Sequence, residues 1–542
     1  MKKRSLKFFA AVLATLMLIG ACMGCKSETA PVEAPATNAD VPAGNDAPDA
    51  TGEAEKPADG PSKTLTIAFS ENVLTLDPHR ANNMTSYQVR NVVFDTLVES
   101  DHVGNFTPRL ATEWSNSEDG KAVTFKLREG VSFHNGEPFT SADVVATFQR
   151  LIDDKTLPVS STYWGLLESV EAVDDYTVIL HMAQPYAGIN ISLINTCILP
   201  DEAWKELGEK LFTNGYMYGT GPWKFDEWAD GQYFHVIKNE NYWGKDKYDS
   251  YYDDIYARTV LEGSSAVAGH LSGDIQAYIA SGGISADLLP LYDGAKGIDL
   301  RKIQCGSTDY IGFQCGEGAV FADRNVRLAF AHAIDRQSIV DYILGMGSVA
   351  RSCMIEGRMG YTDDIPYWQY DPELAKSILA DSTYDGREIT LSSNTGTLKS
   401  QEILLSMSEM LNAVGFKTKV EVVESATLLE MRTTGNYDCF MVSTMQECND
   451  PIKFINTYVK NDIHTHDYVD DDLWALINES NSTLDPAART KLLEKILVDW
   501  ANTLVHYQLF QLDSTYAIDQ GIKGLNLYND GFFDFTYVTY EG

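Results

Sequence analysis

The stretch "FKLREGVSFHNGEPFTSADVVATFQRLI", residues 125–152, constrains the fold of this chain more than any other. From Val123 to Arg128 apolar and polar residues alternate, and a period of two means a strand with one buried face. Glu129-Gly130 allows a turn, and Val131 and Phe133 resume the alternation. Asn135-Gly136 is a strong turn signal, because both residues tolerate positive φ. Pro138 bars helix just before it. Thr140 and Asp143 have the spacing of a capping box, which satisfies the orphan amides of a helix start. Val144, Phe148, Leu151 and Ile152 follow at helical spacing. The segment is therefore strand, turn, strand, turn, capped helix. His134 and Asp143 read as turn and cap residues rather than as catalytic groups.

The same alternation of aromatic and β-branched runs with capped helices extends from Thr64 to the C-terminus, which predicts α/β layers. A helix is expected over Asp323–Leu344, with Asp323 as N-cap and Gly345 as stop. A second is expected over Asp371–Ala380, with Pro372 at its first position. No internal repeat of 20–50 residues is present.

The N-terminus reads as a targeting segment. Lys2, Lys3, Arg4 and Lys7 form a basic region, and Phe8 to Ile19 an apolar run shorter than a bilayer-spanning helix needs. It ends in "LIGACMGC", which resembles the lipobox of bacterial lipoproteins with Cys22 as the lipidation site. Cys25 is the second candidate. Residues 1–21 are then a signal peptide, and 22–61 a lipidated N-terminus and acidic linker. Six of the 18 prolines fall in residues 26–61, beside many Ala, Asp and Glu and no aromatic residue. That composition makes a semi-extended spacer rather than a packed core. The expectation is a globular body outside the cytoplasm, held by lipid to the cell membrane.

The formal net charge is −35, and loss of the four leader cations takes the exported chain to about −39. Such a chain lacks the basic footprint of a nucleic-acid binder. Six of the eight cysteines lie in the body, at spacings that match no zinc pattern. His464-Thr465-His466-Asp467 is the most metal-like cluster, but a metal needs three or four convergent ligands, and the run reads more simply as a loop. No HExxH, GxSxG or P-loop occurs, so no enzyme and no cofactor is expected. "GTGPW", 219–223, lacks a lysine and a following helix; it reads as a tight backbone turn.

Seven ordered landmarks carry a family resemblance. They are "TLTIAFSENVLTLDPHRA", "LATEWSNSEDGKAVTFKLREGVSFHNGEPFTSADVVATFQRL", "GTGPWKFDEWADGQYFHVIKNENYWG", "HLSGDIQAYI", "FADRNVRLAFAHAIDRQSIVDYILG" with "YDPELAKSILADS", "MLNAVGFKTKVEVVE" and "GNYDCFMVSTMQECNDP". From about Leu65 onward the chain resembles the family 5 extracytoplasmic solute-binding proteins of ATP-binding cassette (ABC) importers, the family of dipeptide- and oligopeptide-binding proteins. The resemblance implies a two-lobe α/β fold, the type II periplasmic-binding-protein fold, with an extra subdomain inserted in lobe I. Lobe I maps to 62–97, 216–312 and 506–542, the extra subdomain to 98–215, and lobe II to 313–505. It implies a monomer that closes on a small molecule or peptide, most simply a di- or oligopeptide, and delivers it to ABC permease subunits. Family members also bind nickel chelates, haem, oligosaccharides and signalling peptides. A surface sensor or chaperone using the same cleft without import is the alternative of another class.

The resemblance also implies site residues. Asn83 and Met84 fall at one cleft wall, and Tyr163 and Trp164 near the ligand entrance. Ser443, Thr444 and Met445 end a strand suited to main-chain pairing with a peptide. In peptide-binding members an acidic residue four positions before a proline grips the peptide α-amine. Here Glu447 holds that place before Pro451, with Asp450 as the second acid of the loop. The chain departs from the family in having Glu where Asp is usual, Thr444 where tryptophan is common, and no arginine in "CFMVSTM". The anchoring expectation has a direct test. Metabolic labelling with a fatty-acid probe marks the wild-type protein and not Cys22→Ala; unchanged labelling of that variant assigns the lipid to Cys25.

Overall fold

The computed structural model describes residues 62–542 other than 82, 102–104, 247, 396, 446–449, 452–453, 457–467 and 529–531. The chain opens with β1 (Thr64–Phe69) and α1 (Met84–Val93). An antiparallel unit follows: β2 (Ala111–Asn116), β3 (Ala122–Leu127), α2 (Ser141–Asp153), β4 (Leu167–Asp174) and β5 (Thr177–Met182). Next come β6 (Trp223–Ala229), β7 (Tyr233–Lys238), β8 (Asp254–Thr259), α3 (Gly263–Ser272), β9 (Ala277–Ile279) and the long β10 (Ile298–Phe313). The next stretch comprises α4 (Arg324–Ala333), α5 (Pro372–Ala380), β11 (Glu388–Asn394), α6 (Ser400–Val414), β12 (Lys417–Val423), α7 (Ser425–Thr434) and β13 (Cys439–Met445). Helices α8 (Asp471–Ser482) and α9 (Pro486–Thr503) lead to β14 (His506–Asp519).

One mixed sheet runs β12-β11-β13-β10-β14-β9-β1-β8-β7-β6, and a separate four-stranded sheet runs β2-β3-β5-β4. Three main cores form around them. The first gathers Leu65, Ile67, Val89, Trp223, Ile255 and Ile518. The second gathers Ile311, Phe330, Leu391, Met407, Met441 and Leu509. The third fills the inserted unit with Phe125, Val144, Phe148, Trp164 and Leu180. Leu199, Ala203, Leu211 and Phe212 pack on the first core.

The opening stretch is scaffold, as its pattern predicts. Thr140 accepts from the Ala142 amide, and Asp143 accepts from the Thr140 amide at 2.7 Å. Asp143 also accepts from Asp201 N–H at 2.8 Å, at the start of the helix Asp201–Leu207. Burial pushes the Asp143 carboxyl up to about 6. Val131 and Phe133 are buried but form no second strand; only a single bridge joins Ser132 to Pro138. The expected helix over 323–344 is corrected. It breaks at Ile334 and resumes as Arg336–Ile339 and a π-turn at Val340–Leu344. Asp335 caps the second piece, accepting from Ser338 N–H at 3.1 Å. Arg336 is drawn inward, donating to the carbonyls of Ala350, Gln508 and Trp368 at 2.7, 2.7 and 2.9 Å. Asp323 and Asp371 cap their helices, and Gly345 ends its segment at φ +70°.

Three buried polar clamps join the insert to the first core. Arg150 on α2 donates to both Asp77 oxygens at 2.9 and 2.6 Å and to His79 Nδ1 at 2.9 Å. His79 Nε2–H donates to Cys197 O at 2.9 Å. Burial and the neighbouring Arg150 push His79 down to about 4, so it is neutral at pH 7. Burial alone raises an Asp, but Arg150 holds the Asp77 carboxyl below its ordinary range. In the second clamp Asp95, fully buried, accepts from Arg109, Thr220 and Trp243. In the third, His134 takes the Gly219 amide on Nδ1 at 3.3 Å and donates from Nε2 to Gly221 O at 2.9 Å. Glycine is required there, because a Cβ on Gly219 would lie 2.0 Å from Val93 O. Removing one member of a buried pair strands the other charge. Arg150→Met is therefore expected to lose about 3–5 kcal/mol of unfolding free energy in urea. The double variant Asp77→Leu/Arg150→Met recovers part of that loss.

Candidate functional site

Open α/β sheets bind ligands beyond the carboxyl ends of their strands. On the first-core side those ends are Phe69 of β1 and Ile279 of β9, which run parallel. Asn83 stands beside them but is a helix cap. It accepts from Ser86 N–H at 3.3 Å, and its Nδ2 donates to Asn72 O at 2.9 Å. Met84, half-buried, lines a small cavity with Phe69, Ile279, Tyr516 and Phe533.

On the second-core side, β13 runs antiparallel to β10, with Ser443 opposite Asp309, Thr444 opposite Thr308 and Met445 opposite Ser307. Its other neighbour, β11, pairs only as far as Met441. Among the described residues no strand pairs with Ser443–Met445 on the side away from β10. The sheet thus has an open edge on this wall.

The sequence reading missed Asp309. It is fully buried, accepts from the Ser443 hydroxyl with one carboxylate oxygen, and has no partner for the other. Burial pushes it up to about 6, and no charged group contributes. Thr308 and Thr444 are also buried with unpartnered hydroxyls. The signal lay in "STDYIGF", where strand alternation puts Asp309 on the same face as Ile311 and Phe313. A carboxylate on an apolar face marks either a paired charge or a displaced pKa.

Several expected residues fall elsewhere. Trp164 is wholly buried, its ring edge-on to Phe148 at 4.8 Å and its indole N–H on Thr196 Oγ1 at 2.8 Å. Tyr163 is buried beside it, and its carbonyl accepts from Ser192 Oγ at 2.9 Å. Both pack the insert core rather than a ligand entrance. The short helix Pro158–Tyr163 turns them inward beneath α2. Asp450 is bound bidentately by the buried Arg489 of α9, with Nη2 to Oδ1 at 2.8 Å, so it is a structural acid. Asp470 caps α8, accepting from Leu473 N–H at 2.9 Å. Glu447, His464, His466 and Asp467 lie outside the described residues, as does Cys22, and of Met445 only the backbone is described. The described cysteines Cys197, Cys315, Cys353 and Cys439 are free thiols.

The raised pKa of Asp309 has a sign that stability measurements read. The folded state takes up the proton near pH 6, the unfolded chain near 3.8. Below pH 3.8 both states hold the proton and burial costs no ionisation energy; above pH 6 folding carries the full cost of a buried charge. Asp309→Asn is therefore expected to stabilise the protein at pH 8 by up to about 3 kcal/mol. The gain shrinks below pH 6 and vanishes near pH 4. Chemical denaturation of both proteins from pH 4 to pH 8 checks it.

The model of "Bacterial extracellular solute-binding proteins, family 5 Middle" matches residues 105–465. The oligopeptide-binding protein AppA of Bacillus subtilis is 27% identical over 478 residues, 81% of this chain and 84% of AppA. The glutathione-binding protein GsiB of Escherichia coli K12 is 27% identical over 369 residues, 67% of this chain and 70% of GsiB. Among solved structures, HbpA2 from Haemophilus parasuis superposes with a TM-score of 0.78 at 22% identity, over 88% of this chain and 100% of HbpA2. Bacillus subtilis AppA in complex with a nonapeptide superposes with a TM-score of 0.69 at 23% identity, over 88% and 99%. The sheet order, the long central strands and these superpositions describe a type II periplasmic-binding-protein fold. The chain belongs to the bacterial extracellular solute-binding proteins of family 5.

Proposed function

We propose that this protein, anchored by lipid at Cys22 outside the cytoplasm, captures a di- or oligopeptide between two lobes and delivers it to an ABC permease. In this reading 62–97, 216–312 and 506–542 make up lobe I, which carries the insert, and 313–505 make up lobe II. The observation that carries the peptide reading is the unpaired edge at Ser443–Met445. An extended peptide laid along it gains main-chain hydrogen bonds that do not depend on side-chain identity. Two relatives named for peptide ligands, oligopeptides in AppA and glutathione in GsiB, support the same reading. Ligand acts by binding the closed arrangement more tightly than the open one, so no covalent chemistry is needed. Among the described residues no helix is long and apolar enough to cross a membrane.

Glu447 remains the proposed partner of the peptide α-amine. With Asp450 held by Arg489, it is the acid left in that loop to meet an ammonium. An ammonium leaving water needs a charge-assisted acceptor. Glu447→Gln is expected to weaken binding by about 3–5 kcal/mol, which is about a hundred- to several-thousand-fold. Calorimetry with one peptide, free and N-acetylated, checks it. Equal binding of both forms by wild type, or unchanged affinity in the variant, overturns the amine role. A peptide library without any binder transfers the cleft to a chelate, haem or sugar ligand.

A further inference from the structure

Gln88 on α1 is only 2% exposed, and neither Oε1 nor Nε2 of its amide has a hydrogen-bond partner. A buried amide with both ends unsatisfied costs free energy, and a native structure keeps one where something outside the protein completes it. The amide borders two cavities. One, of about 20 Å³, is lined by Phe69, Met84, Ile279, Tyr516 and Phe533 and has the exposed Ser281 and Gly282 at its rim. The other, of about 70 Å³, is polar and contains Glu99 and Arg109.

The first cavity stands at the carboxyl ends of β1 and β9, on the wall that also holds Asn83 and Met84. Its walls are mostly rings and aliphatic side chains, with Thr85 and Ser281 adding hydroxyls, and Gln88 is the one side-chain amide among its lining residues. Its volume has room for about one water-sized group. We infer that this cavity is a ligand subsite that takes the hydroxyl of a serine- or threonine-like side chain, with Gln88 as its specificity-determining residue. The inference rests on the peptide reading of the cleft.

The chemistry favours a hydroxyl over the other small groups. A hydroxyl both donates and accepts, so it satisfies the amide in either of its two orientations. An ammonium satisfies only the carbonyl end and a carboxylate only the amino end, and both bring a charge among apolar walls. A methyl group fits the volume but gives the Gln88 amide no hydrogen bond. A site built to bond a hydroxyl therefore rejects its methyl isostere.

The test uses the full exported chain and alanine-based tri- and pentapeptides carrying threonine or valine at each position in turn, with affinity measured by calorimetry. Wild type is expected to prefer threonine over valine at one position by about tenfold or more, the factor expected when a buried polar group loses its partner. In Gln88→Leu, and in Gln88→Met as a second variant, the preference at that position disappears or reverses. Peptides that bind with a threonine-to-valine ratio within about twofold at every position overturn the subsite while leaving the peptide reading intact. So does a preference retained in both variants. Absence of binding by every peptide overturns the peptide reading, and the subsite with it.

Discussion

The antiparallel pairing of β10 with β14 is the constraint on which the rest of the molecule depends. The two strands run 16 and 14 residues, well beyond an ordinary strand. Their lower halves, Ile298–Gln304 against Asp513–Asp519, flank the first core, where Ile303, Tyr516 and Ile518 pack. Their upper halves, Thr308–Gly312 against His506–Gln511, enter the second core with Ile311, Tyr507 and Leu509. The register shifts between Gln304 and Thr308 and again between Asp309 and Tyr310. Such bulges bend a strand and raise its twist. The strands thus remain paired while changing direction between cores, as two lobes on a shared hinge require.

The polar groups gather at that change of direction. Lys302 pairs with Asp513 at 2.6 Å, and Gln304 donates to Gln511 at 3.0 Å. One turn of the ladder further lie Asp309, Thr308 and Thr444, buried and incompletely satisfied. A core built for stability alone would place apolar residues there. Each half-satisfied group instead weakens the sheet where β13 leaves its β11 neighbour and exposes an edge. Local rules are broken where function needs them broken. Gln88 is a second example, on the opposite wall.

Legibility followed the range of the interaction. The capping box at Thr140 and Asp143, the caps Asp323 and Asp371 and the stop at Gly345 are complete within a few residues, so their chemistry was visible in sequence. Arg150, the partner of Asp77, lies 73 residues away, and no local pattern names it. The break at Ile334 had the same cause. Periodicity favoured a continuous helix, but the chain leaves it at Ile334 and Asp335, and the Arg336 side chain that follows is held by three carbonyls from distant segments. For Tyr163 and Trp164 the family position was legible and the side-chain direction was not. A one-turn helix decided that, and it sent both rings into the core. Asp450 looked like a free loop acid until Arg489, 39 residues on, came into contact.

These long-range contacts also set how the parts are coupled. The insert is fastened to the first core by buried clamps at Asp77–Arg150–His79, Asp95–Arg109–Thr220 and His134–Gly219–Gly221. Each combines charge or geometry with burial, and breaking one costs several kcal/mol. The insert meets α8 and the turn after it at Ala187 N–H, which donates to Asn481 O at 2.9 Å, and at Gly120, which lies against Leu484. A single backbone hydrogen bond is worth only about 1 kcal/mol. The clamps fasten the insert to the first core, and β10 and β14 are the strands that stay paired from the first core into the second. Under the proposed closure, motion between lobes is absorbed where β10 and β14 change register, beside Asp309 and the open edge of β13. A ligand lying on that edge touches both the moving part and the hinge, and a modest difference in its contacts between the two arrangements is enough to choose between them.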